Sequence, residues 1–312
     1  RRDGLVCSEG SRNARGAHTV KASMRVAVGL VVVGVLAGCA AENPTVQVQT
    51  APVVPTVLHT QDFAVPVLMY HRICHLTERE SRSPLLRDLT VSPADFEDQV
   101  RYLAESGYTF LHVSEVSAAL REGKPLPVKS VAITMDDGYR DNFTFALPIL
   151  KKYRAKATVF MVTNNFDRPE RLSWTDARHM VARDVAFESH TVSHPDLTTL
   201  SQTGLRHELR ESRRILEEGL RVAVTSIAYP AGAFNSSVEL MVADAGYLAA
   251  WKKGGGVVEP RHRESPYQLP RIRIHGRTDM AKFRERVASG PRVVALRTQQ
   301  REARGREGKP GA

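Results

Sequence analysis

Seven short stretches of this chain are strongly apolar, with little of the in-out alternation of a half-exposed strand: Pro66–Tyr70, Ser130–Met135, Ala157–Thr163, Val185–Ser189, Thr225–Tyr229, Tyr247–Trp251 and Leu269–Ile274. Strands of this kind are buried on both faces, as in a parallel sheet covered by helices. Helical patterns lie between them. Ser92-Pro93-Ala94-Asp95 supplies an N-cap, a proline at the first helical position and an acid at the third. Phe96, Val100 and Leu103 then share one face, and Gly107 ends the helix. Ser173-Trp174-Thr175-Asp176 repeats the capping pattern. Ser201–Leu220 carries Leu205, Leu209, Ile215, Leu216 and Leu220 among many charges, the pattern of a surface helix packed on one side. The expectation is an α/β domain of parallel strands, either a barrel or an open doubly wound sheet, a choice that periodicity leaves open.

The charge of the chain lies mostly outside that body. Of the net +10, residues 1–24 supply five Lys/Arg against two acids and residues 291–312 six against two, which leaves +3 between them. A surface built to bind nucleic acid belongs to the folded body, so nucleic acid is not an expected partner. Val26–Leu36 is apolar, follows Lys21 and Arg25, and leads into Ala37-Gly38-Cys39. Eleven residues span roughly 16 Å as a helix, too few for a bilayer core of about 30 Å, so the run reads as a secretory signal peptide. Its end, LAGC, resembles a bacterial lipobox, which implies a lipidated Cys39 and an extracytoplasmic, membrane-anchored lipoprotein. Met24 then reads as the start, with residues 1–23 a non-native leader, and Cys74 would be a lone thiol. The expected organisation is leader and signal peptide over 1–39, a Pro-, Val- and Thr-rich tether over 40–61, one domain over 62–288, and a basic disordered tail over 289–312.

In both candidate architectures functional groups gather at the carboxyl ends of the strands. The polar residues there are His71, the pair Asp136-Asp137, His190, the turn after Tyr229, and Arg271 to His275. Taken alone, Asp136-Asp137-Gly138 is an ordinary turn, and His190 and His194 an ordinary solvated pair. Together they make a two-histidine, one-carboxylate set with a second carboxylate beside it. Such a set leaves positions open on a metal for water and substrate, and the second carboxylate can act as a base.

ITMDDGY, SHTVSHP, AYPAG and LPRIRI, in this order, resemble the motifs of the polysaccharide deacetylase family, the NodB-homology domain. PVLMYHRI and LTVSPADFEDQVRYLAESGYTFLHVSE extend the likeness to its secreted biofilm-polysaccharide and peptidoglycan-type members. The resemblance implies a distorted (β/α) barrel of about seven parallel strands. It also implies metal-dependent removal of N-acetyl groups from N-acetylglucosamine polymers, with one divalent ion, zinc or else cobalt or nickel. By motif, Asp136 is the general base and Asp137, His190 and His194 bind the metal. The backbone N–H of Ala231 serves the oxyanion, and Tyr229 lies beside it. Where many members carry an arginine that steadies the base, this chain has Ala228, so Arg271, with Arg273 second, is the expected replacement. For the acid that protonates the leaving amine, His71 is preferred to His275. The competing functions are an esterase or amidase on another acetylated carbohydrate, and a catalytically silent carbohydrate-binding surface protein.

Overall fold

The computed structural model describes His59, Thr60 and residues 62–307. The expected leader, signal peptide, lipobox and most of the tether therefore lie outside the described residues. Eight strands form the main sheet: β1 Val67–Tyr70, β2 Thr109–Leu111, β3 Ser130–Asp136, β4 Ala157–Met161, β5 Val185–Ser189, β6 Ser226–Ala228, β7 Ala249–Trp251 and β8 Ile272–Arg273. All of their pairings are parallel, in the order β7-β6-β5-β4-β3-β1-β8, with β2 beside the first half of β3. A parallel bridge from Trp251 to Leu269 draws β7 toward the segment that enters β8. The sheet is thereby curled into a distorted (β/α) barrel.

Six of the seven expected strands appear within two residues of their expected bounds. The last, Leu269–Ile274, is divided: Leu269 pairs with β7, and only Ile272–Arg273 joins β1. Pro270 between them has no N–H to give to a ladder. The three-residue strand β2 carries too short a pattern to be seen in the sequence. Both capped helices form as expected. Ser92 accepts from the Asp95 N–H at the head of Pro93–Glu105, and Ser173 and Asp176 form a reciprocal capping box at Trp174–Val181.

Two expectations are corrected. The segment expected as a disordered tail is helical up to Glu307, as part of a helix over Met280–Glu307. Its Ala-, Arg-, Gln- and Glu-rich composition favours helix, and Phe283, Val287 and Val294 anchor it by burial. Cys74 is not a lone thiol. It is disulfide-bonded.

Alternation along each strand sorts the core into two layers. Leu68, Tyr70, Ile133, Met135, Val159, Met161, Ile227 and Tyr229 face the helices. Val67, Ala132, Phe160, Ala228, Ala249, Trp251 and Leu269 fill the inside of the curl. Asp136 is two residues beyond Thr134 and four beyond Ala132, so it stands on the inner face at the strand end.

One polar staple holds the sheet at β5. The buried Glu188 carboxyl group accepts from the Thr225 N–H at 2.8 Å and the Ser226 N–H at 2.7 Å and lies 3.2 Å from the Thr225 hydroxyl. Burial pushes this carboxyl up to about 8, against the pull of those donors. Glu188→Ala leaves two buried N–H groups without an acceptor and should cost about 2–5 kcal/mol. Urea unfolding of both forms at constant pH checks this; a loss under about 1 kcal/mol would mean that water replaces the carboxyl group.

Candidate active site

The carboxyl ends of the strands open into a cavity of about 310 Å³ lined by Met69, His71, Leu85, Leu89, Asp136, Asp137, His190, His194, Tyr229, Ala231, Gly232, Lys253, Arg271 and Arg273. Every expected site residue is in this lining. The rival acid His275 is not; it faces a neighbouring cavity.

Asp136 is 2% exposed and is gripped by Arg271 through two parallel bonds, Nη1 to Oδ1 at 2.7 Å and Nη2 to Oδ2 at 2.8 Å. Arg271 is itself 1% exposed, donates further to Thr134 Oγ1 at 3.3 Å, and lies over the Phe160 ring. Burial alone would raise the Asp136 carboxyl. The charge and hydrogen bonds of Arg271, with His190 and His71 beyond, more than offset that and hold it at about 2. The base position is thus ionised throughout the neutral range.

Asp137 continues the strand only in sequence. Its φ of +74° turns the side chain toward the mouth, so two adjacent carboxylates serve one site. The turn is fastened at its carbonyl, which accepts from Asn165 Nδ2 at 3.0 Å and Arg171 Nη1 at 3.3 Å. Gly138 follows with φ +71°, and a Cβ there would come within 2.1 Å of Met161 Sδ, so any other residue would be strained and would have to displace the Met161 side chain.

The histidines arrive from the loop after β5. His190 Nδ1 lies 2.8 Å from the Ala228 carbonyl, an acceptor, so that nitrogen carries the proton and Nε2 presents its lone pair. The Nε2 atoms of His190 and His194 each lie 3.6 Å from Asp137 Oδ1, and one ligand atom from each residue falls within 4.8 Å of the others. Two ligands held about 2.1 Å from one tetrahedral ion stand roughly 3.4 Å apart. Acceptors facing one another at this spacing fit a divalent cation. The His190 tautomer is also set by an outer hydrogen bond, as metal-binding imidazoles require.

The turn that delivers His194 is strained, with φ +69° at Thr191 and +62° at His194. Glu208, on the helix Gln202–Leu220, holds it in place. Its Oε2 accepts from the Val192 and Ser193 N–H groups at 2.8 and 2.9 Å, and Oε1 accepts from the Ser193 hydroxyl at 2.6 Å. Glu208 was missed in the sequence, although it left a signal: it sits on the apolar stripe between Leu205 and Leu209. Lys253, Leu85 and Leu89 at the mouth left none.

His71 follows β1. Its carbonyl accepts from Asn142 Nδ2, and the next turn is pinned by the Ile73 N–H and Arg72 Nε on Asp141. Burial lowers the His71 pKa. Asp136 and Asp137 oppose that, while Arg271 and Arg273 add to it. Tyr229 borders the cavity, is 1% exposed, stacks on Phe234 and donates its hydroxyl to the Tyr267 carbonyl.

Such a site on such a sheet defines a class: hydrolytic enzymes with a histidine and carboxylate centre at the mouth of an α/β barrel. A family model described as polysaccharide deacetylase matches residues 123–250. The Bacillus subtilis protein YxkH, named as a polysaccharide deacetylase, is 32% identical over 210 residues, covering 67% of this chain and 71% of its own. The poly-beta-1,6-N-acetyl-D-glucosamine N-deacetylase of Staphylococcus aureus is 28% identical over 208 residues, 62% of this chain and 71% of that one. Among solved structures, the Streptococcus pyogenes deacetylase PplD in complex with acetate superposes with a TM-score of 0.68 at 29% identity, over 72% of this chain and 99% of that one. The chain belongs to the polysaccharide deacetylase family, and it is a deacetylase, a hydrolase.

Glu208→Ala should weaken binding of a divalent metal about 10–100-fold, the usual cost of losing a residue that supports the ligands. Competition against a fluorescent chelator measures it. Unaltered affinity in a folded variant would show that the strained turn holds itself.

Proposed function

We propose that this chain is a metal-dependent N-deacetylase of N-acetylglucosamine-containing polysaccharide. The observation that carries the reading is the pairing of an ionised, arginine-clamped Asp136 with three converging acceptors. That arrangement provides a proton acceptor and a cation site side by side. The Staphylococcus aureus relative, whose name states an N-acetylglucosamine polymer and N-deacetylation, supports the substrate class.

Asp137, His190 and His194 would hold the ion. When bound, a divalent ion supplies Lewis acidity to an acyl oxygen and to water. Asp136 takes the proton of the attacking water, and Arg271 keeps both its oxygens fixed without competing for that proton. The Ala231 backbone N–H donates to the oxygen of the acetyl carbonyl as negative charge builds there. Ala231 itself is held at φ +55°, a costly conformation for alanine. His71 hands a proton to the departing amine. Its lowered pKa leaves it neutral at pH 7, so it must first gain a proton within the cycle. The products are acetate and a glucosamine unit.

Acetate release from N-acetylglucosamine oligomers tests the reading, with and without chelation and added zinc, cobalt or nickel. Asp136→Asn should keep the metal and lose on the order of 10²–10⁴ in rate. His194→Ala should lose both metal and activity. His71→Ala should fail on acetamides yet retain most hydrolysis of an activated ester, which needs no proton on its leaving group. Metal loss in Asp136→Asn would exchange the two carboxylate roles. Release of acetate from O-acetylated sugars alone would replace the amide reading with an esterase.

We further propose an extracytoplasmic lipoprotein, supported by the basic flank, the short apolar run and the LAGC ending at Cys39; acylation of the Cys39 thiol competes with any disulfide to Cys74, so in the anchored form Cys74 is reduced. Expressed in bacteria, the protein should label with fatty acid and partition with membranes, and Cys39→Ser should do neither. Recovery of Cys39 unacylated, or in a disulfide with Cys74, would overturn the anchor.

A further inference from the structure

A second cavity, of about 570 Å³, continues from the active-site mouth along a shared wall of Arg271 and Arg273. Its size lies within the about 300–1,000 Å³ typical of ligand sites. Gly254, Gly255 and Gly256 form one side, and Lys282, Glu285, Arg286 and Ser289 of the last helix form the other. The three consecutive glycines have φ of +77°, +99° and +95°, and a Cβ on Gly254 or Gly256 would meet nothing within 4 Å. The side is therefore low and open, suited to a chain that runs past it.

The charges around this space do not balance. Arg273 and Arg277 share one carboxylate, Asp88. Arg273 Nε is buried and has no hydrogen-bond partner. Arg286 spends its Nη1 on neutral acceptors, the Arg273 carbonyl at 2.7 Å and the Thr278 hydroxyl at 3.3 Å. Lys282 pairs with Asp279 on the surface. Lys253, in the active-site lining and next in sequence to Gly254, has no ion pair among the described residues. The lining of the second cavity itself carries Arg271, Arg273, Lys282 and Arg286 against one acid, Glu285. The same field acts on His275, whose pKa is lowered by burial and then by Arg286, Arg277 and Arg273 against Asp88.

We propose that this cavity is a subsite for a negatively charged substituent, a carboxylate or a phosphate, on the sugar next to the one being deacetylated. The inference rests on the deacetylase reading above and sharpens its substrate. Deacetylation turns each acetamide into an ammonium. A homopolymer of N-acetylglucosamine would therefore push its own cationic product against Lys253, Arg273 and Arg286 as it advanced. A glycan with an anion on alternate sugars brings the opposite charge to the same wall.

The test compares three oligosaccharides of equal length on the zinc-loaded protein. One is neutral N-acetylglucosamine oligomer, one carries a lactyl ether carboxylate on alternate sugars, and one carries a phosphate monoester there. Binding of each to Asp136→Asn is measured in parallel by calorimetry. At least one charged glycan should show about tenfold higher kcat/KM and tighter binding than the neutral one, the size of one charge-assisted contact. The advantage should shrink as salt is raised and fall toward unity in Lys282→Glu and Arg286→Gln. Lys282 is exposed, so its variant tests charge with little risk to folding. Preference for one charged glycan over the other identifies the anion. Equal kcat/KM and equal, salt-independent binding for all three would overturn the subsite. If no glycan releases acetate while a charged one still binds more tightly, the deacetylase reading fails and the subsite stands.

Discussion

A fully buried ion pair is the constraint around which this molecule is arranged. Removing Asp136 and Arg271 from water costs several kcal/mol per ion, and only near-ideal geometry recovers it. The two parallel bonds between them provide that geometry. They also require that the end of β3 and the entry to β8 approach, although β1 lies between these strands in the sheet order. Both side chains must therefore point into the curl, above Thr134 and Phe160. Curvature shortens the distance they must bridge and shuts water out from around the pair.

Around the pair, the catalytic loops are held by bonds to backbone more than by regular structure. Left-handed backbone recurs at Asp137, Thr191, His194 and Ala231, four non-glycine residues at one mouth. Each such residue costs on the order of 1 kcal/mol or more, and persists because its surroundings over-determine it. For Asp137 the surroundings are Asn165 and Arg171 on its carbonyl. For the histidine turn they are Glu208 and the Thr191 hydroxyl, which accepts from the His194 N–H. The ligands are thus presented at fixed spacing by side chains that never reach the mouth.

What the sequence makes legible follows from the range of each interaction. Burial on both faces leaves a contiguous apolar run, so the strands could be read directly, and local caps such as Ser92 and Ser173 mark their own helices. Asp136, Asp137, His190 and His194 were legible as neighbours in short motifs, and Arg271 as the compensation for Ala228. Contacts that join distant segments were not. Glu208 reaches back 15 and 16 residues, and Arg286 acts through the carbonyl of Arg273. Pro270 splits a strand that composition alone would continue. The basic character of residues 289–307 suggested a tail, whereas the apolar Phe283, Val287 and Val294 bind that helix to the body.

The hydrogen bond from His190 to the main-chain oxygen of residue 228 has a meaning for how this site tolerates change. Every amino acid carries that oxygen, so the imidazole keeps its orientation whatever side chain occupies the position. The side chain at 228 is thereby released from one of two jobs that meet there. In this chain the guanidinium beside the base comes from Arg271, at the entry to another strand, while the main chain at 228 aligns the ligand. Exchange of the side chain at 228 and orientation of the imidazole are therefore separable.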